Sequence, residues 1–114
     1  MKNDTKEWLA VQELRDALDK KFGHDIMVMD LRNVTTIADF FVIATGTSAP
    51  QLQSLADTSE EVMKKHEIPL NHVEGIRAGE WVLLDFGSVI VHLFGKESRE
   101  FYKLERVWGD ANIV

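Results

Sequence analysis

Five consecutive apolar residues, Phe40-Phe41-Val42-Ile43-Ala44, constrain this chain more than any other feature. A strand with one wet face alternates apolar and polar residues, and a strand without alternation needs cover on both faces. Residues 39–45 (DFFVIAT) therefore read as a central strand, and 26–31 (IMVMDL), apolar except for Asp30, as a second. Cover has to come from helices, and two amphipathic segments offer it. Across 5–22, Trp8, Val11, Leu14, Leu18 and Phe22 recur at spacings of three and four, with Asp4 or Thr5 to cap the start and Gly23 to end it. From Ala49 to His66, Ser48 is a good N-cap and Pro50 suits the first turn. Leu52, Leu55, Ala56, Ser59, Val62 and Met63 form the inner stripe of that helix.

The rest of the chain alternates turns with short elements. Arg32 to Ala38 is a polar loop, and Glu67 to Glu80 is irregular with Pro69, Gly75 and Gly79, leaving room for a short strand near Val73. WVLLD (81–85) and VIVHLF (89–94) flank Phe86-Gly87-Ser88 and predict a hairpin. Alternation puts Trp81, Leu83 and Asp85 on one face and Val82, Leu84 and Phe86 on the other. Ser98 can cap a last helix that runs through FYKLERVW to Gly109. The expected architecture is α/β: a single domain over 1–114, with a mixed sheet packed by about three helices.

Composition removes whole classes of function. There is no cysteine, so disulfides, thiolate metal sites and cysteine nucleophiles are excluded together. Net charge is −6, and the longest basic runs are the pairs Lys20-Lys21 and Lys64-Lys65. Direct nucleic-acid binding needs clustered cations, so no DNA contact is expected and a basic partner suits the surface better. MKNDTKEWLAV lacks a signal-peptide core, and no apolar run approaches the roughly 20 residues that span a bilayer. The expectation is a cytoplasmic protein with no membrane contact.

Chemistry is sparse. Gly46-Thr47-Ser48 follows a buried strand and opens a helix, a geometry that can present N–H groups to phosphate. Nucleotidyl transfer would add a pair of carboxylates two residues apart on the next strand to hold metal. No such pair follows Ser48 in a strand-like segment, and Asp85 stands alone. A hydroxyl-capped turn is the simpler reading. His24, His66, His72 and His92 show no helical metal spacing; His92 could bond Asp85 across the hairpin, but a satisfied structural histidine is the simpler reading. No Gly-x-Ser-x-Gly elbow, Walker loop or Gly-x-Gly-x-x-Gly is present. No cofactor, metal or catalytic residue is expected. The informative cluster is aromatic: Trp81, Phe86, Phe94, Phe101, Tyr102 and Trp108, interspersed with Asp85, Arg99 and Glu105. Phe101, Leu104 and Trp108 are expected in the core, while Trp81 and Tyr102 fit either core or surface.

Several segments together resemble the Iojap family of ribosomal silencing factors. They are Asp25-Ile26 with Asp30-Leu31, Ile37 to Ile43, Gly46-Thr47-Ser48, Leu55-Ala56-Asp57 and Glu74-Gly75. Trp81 to Gly87, Val89 to His92, and Arg99 to Glu105 with Trp108 follow in order. Ala49-Pro50 departs from the family, which commonly has basic or polar residues there. The resemblance implies a nucleotidyltransferase-like core without catalytic carboxylates. It also implies binding to the large ribosomal subunit through large-subunit ribosomal protein fourteen. Such a factor represses translation by blocking small-subunit joining, assists late large-subunit assembly, and is a homodimer when free. The contact is expected on the 81–94 hairpin and the start of the last helix, with Trp81 as anchor and Asp85, Phe86, Arg99 and Tyr102 around it. Two other classes stand beside this one: a nucleotide-dependent transferase using the Gly46-Thr47-Ser48 turn with Asp85 and Asp57, and a generic dimeric interaction module.

Overall fold

In the computed structural model, which describes residues 5–75, 80–109 and 111–114, one six-stranded sheet carries the chain. The elements are α1 (Lys6–Lys20), β1 (His24–Asp30), β2 (Phe40–Gly46), α2 (Ala49–Lys65), β3 (His72–Glu74), β4 (Trp81–Asp85), β5 (Val89–Gly95), α3 (Lys96–Tyr102), α4 (Leu104–Val107) and β6 (Asn112–Ile113). The strand order is β3-β4-β5-β2-β1-β6. β2 and β5 run parallel and the other pairs are antiparallel, so the sheet is mixed.

β2 is buried along its whole length, as its unbroken apolar run requires. Its cover differs on the two sides. On one face α1 and α2 pack Leu14, Leu18, Leu52, Leu55 and Met63 against Val42, Ala44, Val82, Leu84, Phe86, Val91 and Leu93. The expected stripe of α2 is the observed one, and Thr5 and Ser48 cap the two helices through their hydroxyls. On the other face the cover is thinner. Leu104, Trp108 and Ala111 of the C-terminal segment lie against Met29, Leu31, Phe41, Ile43 and Phe94.

Several expectations need correction. Phe22 is 77% exposed rather than part of the α1 stripe, because the helix ends at Lys20. Phe22 itself takes the left-handed φ of 65°. Gly23 does close the helix end, its N–H donating to the Leu18 carbonyl at 2.9 Å, and it packs tightly there, since a Cβ would sit 3.1 Å from that oxygen. Ser98 does not cap the last helix: β5 runs directly into α3 with Gly95 at the cap position. Nor is that helix continuous. Lys103 adopts φ 45°, its N–H closes on the Arg99 carbonyl, and α4 starts afresh. Phe101, Leu104 and Trp108 would share one stripe of an unbroken helix. The break turns Phe101 outward to 79% exposure and leaves Leu104 and Trp108 on the sheet. β6 was not foreseen at all. Asp4 and Gly79 lie outside the described residues.

Gly75 is where the backbone leaves no choice. Its φ is +86°, and a Cβ would meet the Trp81 carbonyl oxygen at 1.9 Å. Gly75→Ala should therefore destabilise the fold by about 2 kcal/mol or more, the strain of a left-handed Ala plus that clash. Urea unfolding would check this, and an unchanged midpoint would contradict it.

An aromatic face ringed by carboxylates

Strand pairing defines the residues of the thinly covered face. Directly paired residues share a face, so Trp81, Phe94 and Thr45 form one row across β4, β5 and β2. Leu83, His92 and Ile43 form the next, and Asp85, Ile90 and Phe41 the third. The C-terminal segment covers the β1–β2 half of this face and stops short over β4. Trp81, Leu83, Asp85 and Ile90 remain half-buried.

Four aromatic rings lead from the core to the surface. The Trp81 ring centroid lies 4.9 Å from that of Phe94 and 4.8 Å from that of Tyr102. Phe101 packs at 88° against Tyr102, with centroids 5.0 Å apart. Tyr102 is 47% exposed and Phe101 79%. Glu80, Glu97, Ser98, Phe101 and Tyr102 line one groove, which has two carboxylates and no cation among its lining residues. Glu100 is also exposed, although Lys103 Nζ sits 3.4 Å from it. The result is a large apolar, aromatic surface with an acidic margin.

The expected site residues separate accordingly. Trp81 and Tyr102 come together on this face. Asp85 lies on it at the far end of β4, where its carboxylate accepts the Gly87 N–H at 2.7 Å. Phe86 does not belong: it points to the helical face and is 3% exposed within the main core. Alternation along β4 decides this. Arg99 is 8% exposed and turned inward. Its Nη1 donates to Thr45 Oγ1 at 2.9 Å, and its Nε is 3.4 Å from the Glu105 carboxylate. Arg99 thus fastens α3 and α4 to the end of β2 and offers no guanidinium to a partner. Sequence reasoning missed Phe101 as a surface residue, because the signal for the break sits in the left-handed Lys103. It also misplaced the partner of His92. His92 pairs across the ladder with Leu83, and its Nδ1 accepts the Trp81 indole N–H at 3.2 Å. Asp85 is one row away.

Burial pushes His92 down to about 4 from an ordinary 6.5. The unfolded chain therefore takes up this proton first as pH falls. His92 contributes its full stability above about pH 6.5, and that contribution is lost as pH falls from there toward about 4. The complete loss is on the order of 3 kcal/mol. Urea unfolding between roughly pH 7 and pH 4 should show this slope in the wild type and its absence in His92→Phe. Parallel curves would contradict it.

The Gly46-Thr47-Ser48 turn lies at the carboxyl ends of β2 and β5. From there α2 departs to one face and α3 to the other, the kind of crevice where α/β sheets bind ligands. His24, Asp25, Thr45, Thr47 and Lys96 line it. The turn is already occupied by the chain itself. Gln51 Oε1 accepts the Thr47 N–H at 2.6 Å and the Thr47 hydroxyl at 3.0 Å, while Gln51 Nε2 donates to the Phe22 carbonyl at 2.8 Å. Ser48 Oγ accepts the Gln51 N–H at 3.2 Å. Asp57 sits on the exposed side of α2, bonded to Gln53, and Asp85 is on the opposite face of the sheet. These two carboxylates cannot share a metal ion at the turn. Titration calorimetry with magnesium and a nucleoside triphosphate should give no heat of stoichiometric binding; a one-to-one isotherm would contradict this arrangement.

With this geometry in view, similarity to known proteins is informative. The model of the family described as ribosomal silencing factor during starvation (RsfS) matches residues 2–114. The chain belongs to that family. It is 37% identical over 99 residues to the ribosomal silencing factor RsfS of Halalkalibacterium halodurans, covering 87% of this chain and 85% of that one. A mouse protein named mitochondrial assembly of ribosomal large subunit protein 1 is 32% identical over 101 residues, which span 86% of this chain and 44% of the mouse protein. The crystal structure of a Chromobacterium violaceum protein superposes with a TM-score of 0.83 at 32% identity, covering 89% of this chain and 84% of that one. Among the described residues, no helix is long and apolar enough to cross a membrane.

Proposed function

We propose that this chain is a translational repressor that works by occupancy. It docks on the large ribosomal subunit and blocks joining of the small one, and the same docking assists late large-subunit assembly. The observation that carries the reading is the aromatic face of Trp81, Tyr102 and Phe101 with carboxylates at its margin. Exposed aromatic clusters mark protein interfaces, and an acidic margin selects a basic partner and speeds encounter. Ribosomal proteins are basic partners. The names of the relatives support the ribosomal target, and the mouse relative's name supports a part in assembly.

Large-subunit ribosomal protein fourteen is the proposed contact, and the free protein is proposed to cover the same apolar surface by pairing with a second copy. No chemistry is required of the bound factor. An interface of ordinary size, about 1,600 Å², suffices when its centre is aromatic. Occupancy then competes with the small subunit by mass action. The transferase reading has less support, because Gln51 closes the turn that phosphate would need.

Sucrose-gradient sedimentation with separated subunits tests the proposal. The protein should travel with large subunits and not with small ones. Phe101→Ala is the sharpest variant, because a side chain 79% exposed contributes little to folding. It should melt like the wild type and bind large subunits about tenfold more weakly, roughly 1.4 kcal/mol. Equal recovery with both subunits, or wild-type affinity in Phe101→Ala, would overturn the reading.

A further inference from the structure

His92 is an anomaly in the middle of an apolar face. It is 4% exposed, between Phe41 at 4.7 Å and the nearly parallel Phe94 at 6.3 Å. An indole N–H can only donate, so His92 Nδ1 must accept it, and the neutral ring then carries its proton on Nε2. Nε2 is buried without a hydrogen-bond partner among the described residues. An apolar ring of similar shape would avoid that penalty. What histidine does here that phenylalanine cannot is hold the Trp81 indole by its N–H.

The consequence reaches the surface. Trp81 and His92 are diagonal neighbours on one face, since Trp81 pairs with Phe94 and Leu83 with His92. Trp81 in turn supports Tyr102, and Tyr102 supports Phe101. Without a fixed acceptor, an indole on a half-covered face has other rotamers open to it. Freezing one of them before a partner arrives removes an ordering cost from binding.

We propose that His92 is a positioning residue for the docking face: by accepting the Trp81 N–H it sets the orientation of the central indole, and through it the Tyr102–Phe101 edge. This rests on the docking reading above and deepens it. His92 touches no partner; it acts through Trp81.

Nuclear magnetic resonance and binding together test this. In wild-type protein carrying ¹⁵N in tryptophan and histidine, a coupling across the hydrogen bond should link Trp81 Nε1 to His92 Nδ1. Its absence would overturn the proposal. His92→Phe should move the Trp81 indole resonance, speed its exchange with water and weaken large-subunit binding about tenfold. His92→Asn places an amide oxygen near the old Nδ1 and should recover most of that affinity. In a Trp81→Phe background, His92→Phe should cost no further affinity. A full additional loss there would show that His92 acts by another route, and wild-type affinity in His92→Phe would show that orientation does not matter. Should His92→Phe fail to fold, the wild-type coupling and the Asn variant still decide. A wild-type chain that binds no large subunit would overturn the docking reading and the binding part of this proposal; the coupling separates that failure from a missing hydrogen bond.

Discussion

The buried guanidinium of Arg99 is the contact on which the placement of α3 and α4 depends. One nitrogen reaches the hydroxyl of Thr45 at the end of β2, and another faces the Glu105 carboxylate at the start of α4. Both helices are too short to stand alone. Their stability has to come from the sheet, and a charge-assisted bond at a buried site supplies direction as well as energy. With α3 and α4 fixed there, Leu104 and Trp108 cover the β1–β2 half of the face. The β4 side is left partly open. The fold thus leaves a patch on one side of a sheet whose other side is sealed by α1 and α2.

That asymmetry shapes what the protein can do. The sealed side is ordinary core, with Phe86 among its members. The open side combines large rings, little conformational freedom and negative charge close by, which suits association with a basic protein surface rather than turnover of a small molecule. The crevice at the carboxyl ends of the parallel strands has the place of an active site in an α/β fold, yet the Thr47 N–H and hydroxyl at its turn are spent on Gln51. Family membership and this geometry point the same way.

Periodic features were legible in the sequence. The inner stripe of α2, the register of the 81–94 hairpin and the burial of β2 follow from spacing, because each repeats over several residues. Features decided by a single backbone angle were not. Lys103 in the left-handed region splits the last helix, and that one residue turns Phe101 from expected core to surface. A two-residue strand such as β6 carries no pattern to read. The inward turn of Arg99 depends on Thr45, 54 residues away, and no local signal announces it. The Trp81–His92 bond could have been found: counting the hairpin register from its turn places both on one face as diagonal neighbours.

The central claim is that the aromatic face is where the large subunit is met. Oxidative footprinting of side chains, with and without isolated large subunits, tests it most directly, because the exposed apolar residues are spread over the molecule. Phe101, Tyr102 and Val107 belong to the C-terminal segment, whereas Leu9 and Phe22 lie on α1 and just after it, at 50% and 77% exposure. The account predicts that Phe101 and Tyr102 lose reactivity in the complex while Leu9 and Phe22 keep theirs. Protection of Leu9 and Phe22 with Phe101 still reactive would contradict it.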